Sequence, residues 1–262
     1  MKLGMRTRII TGLLLIAIVL PPVILGGPLL RLLISLISLC AAYEISALKD
    51  LKPDWLLTII FTLVIFVFTF VSPAQYATGL GFFIIFLFFI VFMMPTFSVD
   101  HATYSLLIVV IISLAWQAAM HIYSMGLNFR GALLVLFATY VCDTGAYFFG
   151  VFFGKHKMAP NISPNKTWEG AIGGYCTAAL VSFVYGYFVC KELPLSFLLA
   201  TCLLLPFVGQ IGDLAFSSIK RRFGIKDFGS FLPGHGGILD RIDSLLFCLM
   251  IFNALLLLWG IY

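Results

Sequence analysis

Residues 217–243 have the sequence SSIKRRFGIKDFGSFLPGHGGILDRID and lie between two apolar runs, 195–211 and 244–261. Five basic side chains, three carboxylates and a histidine fall in this stretch, although only 10% of the whole chain is charged. A membrane protein concentrates charge in this way only where water, a metal or a charged ligand meets it. The stretch therefore predicts a polar site at the ends of membrane-spanning helices.

Composition places the rest of the chain in a membrane. Of its 262 residues, 62% are hydrophobic, and one core could not bury so much apolar surface. We therefore expect an all-α, polytopic integral membrane protein, because a helix needs about 20 apolar residues to cross the bilayer. The nine predicted spans are 9–27, 29–48, 55–72, 79–95, 104–124, 131–152, 171–190, 195–211 and 244–261.

The distribution of Lys and Arg predicts the orientation of these spans. With a cytosolic N-terminus, 13 of the 16 basic residues fall on the cytosolic side, as the positive-inside rule requires. The first apolar run lacks a signal-peptidase pattern, so it is predicted to be a retained helix. Two polar loops, 153–170 and 212–243, then face the cytosol, where a single site would be open to both cytosolic solutes and lipid.

The two halves of the chain differ in character. Residues 1–130 are nearly featureless apolar helix and are predicted to be a scaffold with dimer or lipid contacts. Residues 131–262 hold nearly all the polar groups and are predicted to be catalytic. The net charge of +5 fits loops that meet anionic lipid, and no basic, aromatic-interleaved stripe indicates a nucleic-acid partner. The six cysteines are predicted to be small buried side chains.

Helical spacing groups the polar residues of 212–243. Asp213, Ser217 and Lys220 would share one face if their stretch is helical. Asp240 and Asp243 would share a face at the start of the last helix. Negative charge there stabilises a helix N-terminus by about 0.3–1 kcal/mol, but two adjacent carboxylates repel unless a cation lies between them. We favour a divalent metal, because Mg²⁺ takes one or two carboxylates together with phosphate oxygens.

Asp143 and the loop before the seventh span are candidates for substrate contacts. Asp143 lies mid-span, where an unpaired carboxylate costs at least about 2.5 kcal/mol, so it must face a polar cavity or a hydrogen-bonding partner. In the loop, Ser163 or Thr167 could cap the next helix, and Lys166 could reach a phosphate. We expect these residues to line the site.

The turn 233–237 is rich in glycine. Gly236 and Gly237 would let the backbone offer N–H groups to a phosphate, and the alternative is a tight re-entrant turn without a ligand. His235 could pair with a phosphate, with a base or with Asp227, and the sequence does not choose among these.

Other intramembrane polar residues have ordinary structural explanations. Gln117 and His121, four residues apart, favour hydrogen bonds between helices over catalysis. Glu44, at the end of the second span, could answer a cation. The sequence contains no P-loop, no H-E-x-x-H zinc motif and no plausible Ser-His-Asp set. It also lacks the D-G-x-x-A-R opening of lipid phosphotransferases that consume CDP-activated alcohols.

Three segments resemble the signature of phosphatidate cytidylyltransferases, also called CDP-diacylglycerol synthases. The longest combines Ser217-x-Ile219-Lys220-Arg221 with Lys226-Asp227, Gly229, Leu232-Pro233, His235-Gly236-Gly237-Ile238 and Asp240-Arg241-Ile242-Asp243. The others are Asp143-Thr144-Gly145-Ala146-Tyr147 and Ser163-Pro164-x-Lys166-Thr167-Trp168-Glu169-Gly170. Asn165 stands where a lysine is common, and the resemblance covers roughly 135–262.

This resemblance implies transfer of the cytidylyl group of CTP to phosphatidic acid, with CDP-diacylglycerol and pyrophosphate as products. It also implies Mg²⁺, K⁺ as an optional second cation, a homodimer, and a bacterial cytoplasmic membrane with the site facing the cytosol. Together with the spacing, it assigns Asp213, Asp240 and Asp243 to the metal, and Ser217, Lys220, Arg221 and Lys226 to catalysis. The substrate-binding residues would be Asp143, Ser163, Lys166, Thr167, Asp227, His235, Gly236, Gly237 and Arg241.

Two other functions stay open on sequence grounds. Asp143, Gln117 and His121 are intramembrane groups of the kind that an ion-coupled carrier uses, but the polar residues gather at one face and no inverted repeat is visible. A nucleotidyl- or phosphotransferase that acts on a polyprenyl lipid would use similar charged residues.

Overall fold

A computed structural model describes residues 5–48, 53–71, 73–94, 97–232 and 236–261, and these form nine helices and one short hairpin. The helices are α1 (Met5–Leu25), α2 (Gly27–Ser46), α3 (Trp55–Phe70), α4 (Pro73–Met93), α5 (Val99–Ser124), α6 (Asn128–Phe153), α7 (Trp168–Val189), α8 (Leu195–Arg222) and α9 (Leu239–Leu258). The hairpin strands β1 (Lys157–Ala159) and β2 (Ser163–Thr167) pair antiparallel between α6 and α7.

Seven of the described helices are long and apolar enough to cross a membrane, and two shorter apolar helices, Ile10–Leu25 and Trp55–Phe70, accompany them. Large apolar side chains are exposed on these helices, for example Phe82 at 71% and Phe92 at 80%. Such a surface is stable against lipid and not against water. The expected all-α, polytopic membrane class is confirmed, while the count of nine spans and the cytosolic N-terminus stay predictions.

The chain forms two compact units. The first contains the described residues of Met1–Pro22, Gly27–Gln117 and Phe223–Asp240. The second contains those of Val23–Gly26, Ala118–Arg222 and Arg241–Tyr262. These structural units are not the two halves separated at residue 130, whose functional division stays a prediction.

In the first unit, α2 packs along α3. Ala41 and Ala42 are fully buried, and small side chains of this kind let helix backbones approach. Ser46 Oγ and Thr58 Oγ1 share a buried 3.0 Å hydrogen bond between the two helices. Asp54 caps α3 by accepting a hydrogen bond from the backbone N–H of Leu56 at 2.7 Å. Helix α3 is therefore fixed at its start and along its α2 face.

In the second unit, α6 and α7 form a seam of glycines. A Cβ atom built on Gly174 would lie 2.5 Å from the carbonyl oxygen of Cys142, and one on Gly170 would lie 2.7 Å from that of Ala146. A Cβ atom on Gly145 would lie 3.0 Å from the Cα of Gly174. The glycines of α7 therefore permit close packing against α6, because a side chain at Gly170 or Gly174 would meet the α6 backbone.

Thr167 caps α7, as predicted, since its Oγ1 accepts a hydrogen bond from the backbone N–H of Gly170 at 3.2 Å. Replacing Thr167 with alanine is expected to lower the free energy of unfolding by about 1 kcal/mol. Thermal denaturation in detergent would measure this loss. Thr177→Ala is the matched control on the same helix, because Thr177 Oγ1 only donates to the carbonyl oxygen of Gly173. Equal melting temperatures for the two variants would contradict the capping role.

The polar stretches are more ordered than the sequence suggested. Of the expected loop 212–243, residues 212–222 continue α8 and the segment from Leu239 begins α9, so the loop covers only 223–238. Basic residues in the last turn of α8 suit the negative end of the helix dipole, which explains the extension. The expected loop 153–170 contains the β1–β2 hairpin.

Three smaller expectations can be compared with the structure. Gln117 Nε2 donates to the carbonyl oxygen of Phe68 at 2.5 Å, and His121 Nδ1 lies 2.6 Å from Asn253 Oδ1. Both residues therefore make the predicted hydrogen bonds between helices. All six cysteines are free, and four of them are buried, as predicted. Cys40 is half-buried and Cys176 is exposed on α7, so the prediction of burial was wrong for Cys176.

Candidate active site

Helix α8 carries three of the predicted site residues on one face. Asp213, Ser217 and Lys220 are spaced by four and three residues within a continuous helix, so the conditional prediction of a shared face is confirmed. The face is partly enclosed, since Ser217 and Lys220 are buried. A carboxylate, a hydroxyl and an ammonium group therefore stand in a row along the helix.

Glycines bring α8 close to α9 at the level of this face. A Cβ atom on Gly212 would lie 3.1 Å from the carbonyl oxygen of Asp243, and one on Gly209 would lie 3.1 Å from Cys248 Sγ. Gly212 precedes Asp213 directly, and the negative charge of Asp213 acts on Asp243. The two glycines thus bring the α8 backbone close to α9 next to two of the predicted metal-binding residues.

Asp213 is paired with a cation from the hairpin. Lys166 Nζ, on β2, lies 2.6 Å from Asp213 Oδ2, and both side chains are about a quarter exposed, at 27% and 28%. Ser217 Oγ donates to Asp213 Oδ1 at 3.3 Å. Three predicted site residues from two separate segments therefore meet in direct contact.

The hairpin is tied down at its tip and at its base. At the tip, Arg221 Nε donates to the carbonyl oxygen of Ile162 at 2.9 Å. At the base, Glu169 accepts hydrogen bonds from His156 Nδ1 at 2.6 Å and from the backbone N–H of Lys155 at 3.1 Å. The sequence identified Glu169 only as part of a motif. Its role in holding the hairpin was missed, because the pairing depends on the turn that the hairpin makes.

Charges of both signs gather in the second unit. Asp243 is buried and its Oδ1 accepts a hydrogen bond from the backbone N–H of Ser244 at 2.7 Å. The negative charges of Asp213 and Asp143 act on Asp243, and the positive charge of Lys220 opposes them. Lys166 and Arg241 likewise offset the charge on Asp143. We call these residues the charge cluster: Asp143, Lys166, Asp213, Lys220, Arg241 and Asp243.

The charge cluster fits a divalent cation only together with a ligand. Within the described ranges, no three His, Cys, Asp or Glu side chains are arranged to hold a metal ion by themselves. Mg²⁺ does not require such a group, because it is commonly bound through one or two carboxylates plus substrate phosphates. Asp213 and Asp243, whose charges interact, offer hard oxygen atoms of this kind. The donor set therefore suits a Mg²⁺–polyphosphate complex better than a free metal ion.

In the first unit, Asp240 organises the loop 223–238. Its Oδ2 accepts hydrogen bonds from the backbone N–H groups of Phe228 and Gly237, both at 2.9 Å. Gly236 has a φ of +84°, which disfavours any side chain there. A Cβ atom on Gly236 would lie 3.2 Å from Asp240 Oδ2 and 3.5 Å from Asp227 Cγ. Gly236 and Gly237 therefore pack closely around a carboxylate, while the remainder of the turn, 233–235, which includes His235, lies outside the described residues.

Glu44 lies on α2 and binds the backbone where this loop ends, whereas the sequence suggested that it could answer a cation. It is only 2% exposed. Its Oε1 accepts a hydrogen bond from the backbone N–H of Ile238 at 2.8 Å, and its Oε2 accepts one from that of Leu239 at 2.9 Å. These partners are about 195 residues away along the chain, so no local signal could have indicated them.

The predicted site residues divide between the two units. The second unit holds Asp143, Ser163, Lys166, Thr167, Asp213, Ser217, Lys220, Arg221, Arg241 and Asp243, and the first holds Lys226, Asp227, Gly236, Gly237 and Asp240. Thr167 is used as a helix cap, Ser163 begins β2 and Lys226 is exposed in the loop. Their catalytic and binding roles stay predictions.

Comparison with known proteins covers almost the whole chain. A model of the cytidylyltransferase family matches residues 6–259. A phosphatidate cytidylyltransferase of Staphylococcus haemolyticus is 36% identical over 260 residues, which cover 97% of this chain and 99% of the relative. The proteins of that name from Staphylococcus saprophyticus and Staphylococcus aureus are each 34% identical with the same coverage. The similarity extends through the first 130 residues, which showed no motif, and the chain therefore belongs to the cytidylyltransferase family.

Proposed function

We propose that the protein transfers the cytidylyl group of CTP to phosphatidic acid and releases CDP-diacylglycerol and pyrophosphate. The observation that carries this proposal is the charge cluster, in which carboxylates for a metal lie beside cations for phosphate groups. Membership of the cytidylyltransferase family and full-length relatives named phosphatidate cytidylyltransferase support the choice of substrates. The many exposed apolar side chains support a location in the membrane, where a lipid acceptor is available.

Asp213 and Asp243 are the proposed Mg²⁺ ligands. When bound, Mg²⁺ would withdraw charge from the triphosphate and make its α-phosphorus more electrophilic. Asp240 is kept as a third candidate ligand on the strength of the sequence signature, although its Oδ2 already accepts two backbone hydrogen bonds. We also infer K⁺ as a second cation.

The proposed reaction is a direct displacement. An oxygen of the phosphatidate phosphate forms a bond to the α-phosphorus of CTP, and the bond from that phosphorus to the β-phosphate oxygen breaks. The leaving pyrophosphate takes the electron pair, so no covalent intermediate with the protein is required. The protein then contributes by positioning the reactants and by neutralising charge.

Each remaining residue has a role in that step. Lys220, Arg221 and Lys226 offset the charge on pyrophosphate and on the lipid phosphate, and Ser217 orients a phosphate oxygen. The other substrate contacts are assigned to Asp143, Ser163, Lys166, Thr167, Asp227, His235, Gly236, Gly237 and Arg241. We further propose a homodimer in a bacterial cytoplasmic membrane, with the site on the cytosolic side, where CTP is available.

Labelled CTP tests the function directly. With phosphatidic acid and Mg²⁺ in detergent micelles, label in the α-phosphate is expected to enter the lipid fraction, and label in the γ-phosphate is expected in pyrophosphate. EDTA should abolish both transfers, and added Mg²⁺ should restore them. An ion-coupled carrier would put no label into lipid. Preferential labelling of a polyprenyl phosphate over phosphatidic acid would indicate the other class of transferase.

A further inference from the structure

Glu44 is the one acidic residue of α2, and it is buried at 2% exposure. A buried carboxylate is tolerated only where hydrogen bonds replace its lost hydration. Both of its oxygens are satisfied by backbone N–H groups at the start of α9, from Ile238 and Leu239. Glu44 therefore acts on the backbone at the end of the loop 223–238.

The loop closes around the Glu44 carboxylate. A Cβ atom on Gly237 would lie 2.5 Å from Glu44 Oε1, and one on Gly229 would lie 2.7 Å from the same oxygen. No side chain can occupy either position without displacing the carboxylate. The presence of glycine at both positions is thus explained by a residue of the N-terminal half.

Two carboxylates together hold three consecutive backbone amides. Gly237 N–H donates to Asp240, while the next two amides donate to Glu44. These N–H groups lie at the start of α9, where a helix has no partners of its own for them. Negative charge at this end is also favourable to the helix dipole. The loop is therefore anchored on α2 at one end of a predicted phosphate-binding turn.

We propose that Glu44 is a positioning residue, which fixes the backbone of the loop 223–238 so that the groups of this loop engage CTP. The inference rests on the proposed function, and it gives the N-terminal helices a part in catalysis beyond that of a scaffold. Glu44 itself touches neither substrate. Its effect passes through the loop that carries Lys226 and Asp227.

The substitution Glu44→Gln tests the proposal, because an amide offers one acceptor where the carboxylate offers two. We expect kcat/KM for CTP to fall by about tenfold to a hundredfold, as misplaced groups at a reaction centre do. The loss should lie mainly in the KM for CTP, with the KM for phosphatidic acid unchanged. Hydrogen–deuterium exchange should become faster at residues 238 and 239 and stay the same within α8.

Ser46→Ala is the matched control. Ser46 is buried on the same helix, and its hydroxyl group bonds to the carbonyl oxygen of Tyr43 and to Thr58, which are both outside the loop 223–238. Its loss should leave the KM for CTP unchanged. A general weakening of α2 would instead raise the KM in both variants and would overturn the specific role of Glu44.

A double substitution tests the close fit independently. Gly237→Ala should reduce kcat/KM for CTP strongly in the wild-type background and by a smaller factor in the Glu44→Ala background, where the methyl group has room. An equal reduction of kcat/KM by Gly237→Ala in both backgrounds would contradict a close fit between Gly237 and the Glu44 carboxylate.

The outcomes separate this inference from the proposed function. Absence of label transfer by the wild-type protein would overturn the proposed function. Unchanged exchange at 238 and 239 in Glu44→Gln would overturn the anchoring, whatever the activity. Faster exchange with an unchanged KM for CTP would overturn the link from the anchor to CTP binding.

Discussion

Replacing Asp213 with asparagine is expected to reduce cytidylyl transfer by about a thousandfold, which corresponds to ~4 kcal/mol of transition-state stabilisation. The amide keeps the volume of the side chain and can still accept the hydrogen bond from Ser217. It removes the negative charge that faces Lys166 and that we propose for Mg²⁺. Turnover of labelled CTP at several Mg²⁺ concentrations would measure the loss, and saturating Mg²⁺ should not restore the wild-type rate.

Ser218→Ala is the control for this prediction. Ser218 lies five residues after Asp213 on α8 and is exposed. Its Oγ donates to the carbonyl oxygen of Leu214. Its removal should leave turnover within a factor of about two, as for an ordinary surface change of ±0.5 kcal/mol. Undiminished turnover in Asp213→Asn would remove Asp213 from the metal site and with it the central assignment of the mechanism.

The substitution Gly174→Val is expected to destabilise the protein by about 3 kcal/mol or more, because overpacking a close helix contact forces the backbones apart. Its Cβ atom alone would lie 2.5 Å from the carbonyl oxygen of Cys142 and 2.7 Å from the backbone nitrogen of Ala146. Both atoms belong to the backbone of α6, so neither can move unless the helix moves. The melting temperature in detergent should fall, and activity should fall with it, since Asp143 follows Cys142 directly on α6.

Gly81→Val provides the comparison on α4. A Cβ atom at Gly81 would have nothing within 4 Å, and valine has a slightly better helix propensity than glycine. This variant should therefore melt at or slightly above the wild-type temperature. Similar losses in the two variants would show that the α6–α7 seam is looser than its geometry indicates.

The class of fold was predictable because it depends on composition, whereas helix ends were not. Apolar runs of about 20 residues identify spans directly. In α8, however, Gly209, Gly212 and the charges after them are typical of a loop as well as of a helix. Packing decides the matter: the two glycines are where α9 approaches, so they support the helix in this context. The β1–β2 hairpin was missed because its two strands are only three and five residues long.

The site was predictable as a set of residues and less so as a set of contacts. Spacing along one helix correctly grouped Asp213 with Ser217. The pairing of Asp213 with Lys166 and that of Glu44 with the start of α9 connect distant segments, and nothing local encodes them. Glu44 in particular looks like an isolated acid in an apolar run until the loop that surrounds it is known.

The length of α8 has a consequence for how the protein meets its lipid. Its 28 residues span about 42 Å at 1.5 Å per residue, whereas the hydrocarbon layer of a bilayer is about 30 Å thick. If α8 lies along the membrane normal, its last two turns, which hold Ser217, Lys220 and Arg221, extend beyond the hydrocarbon layer as rigid helix. The height of Lys220 and Arg221 above the hydrocarbon layer is then fixed by a helix and not by a flexible loop. A lipid phosphate at the level of the headgroups can then contact Lys220 and Arg221 without a change in backbone conformation. The thickness of the bilayer thereby sets which phosphate groups these cations can reach.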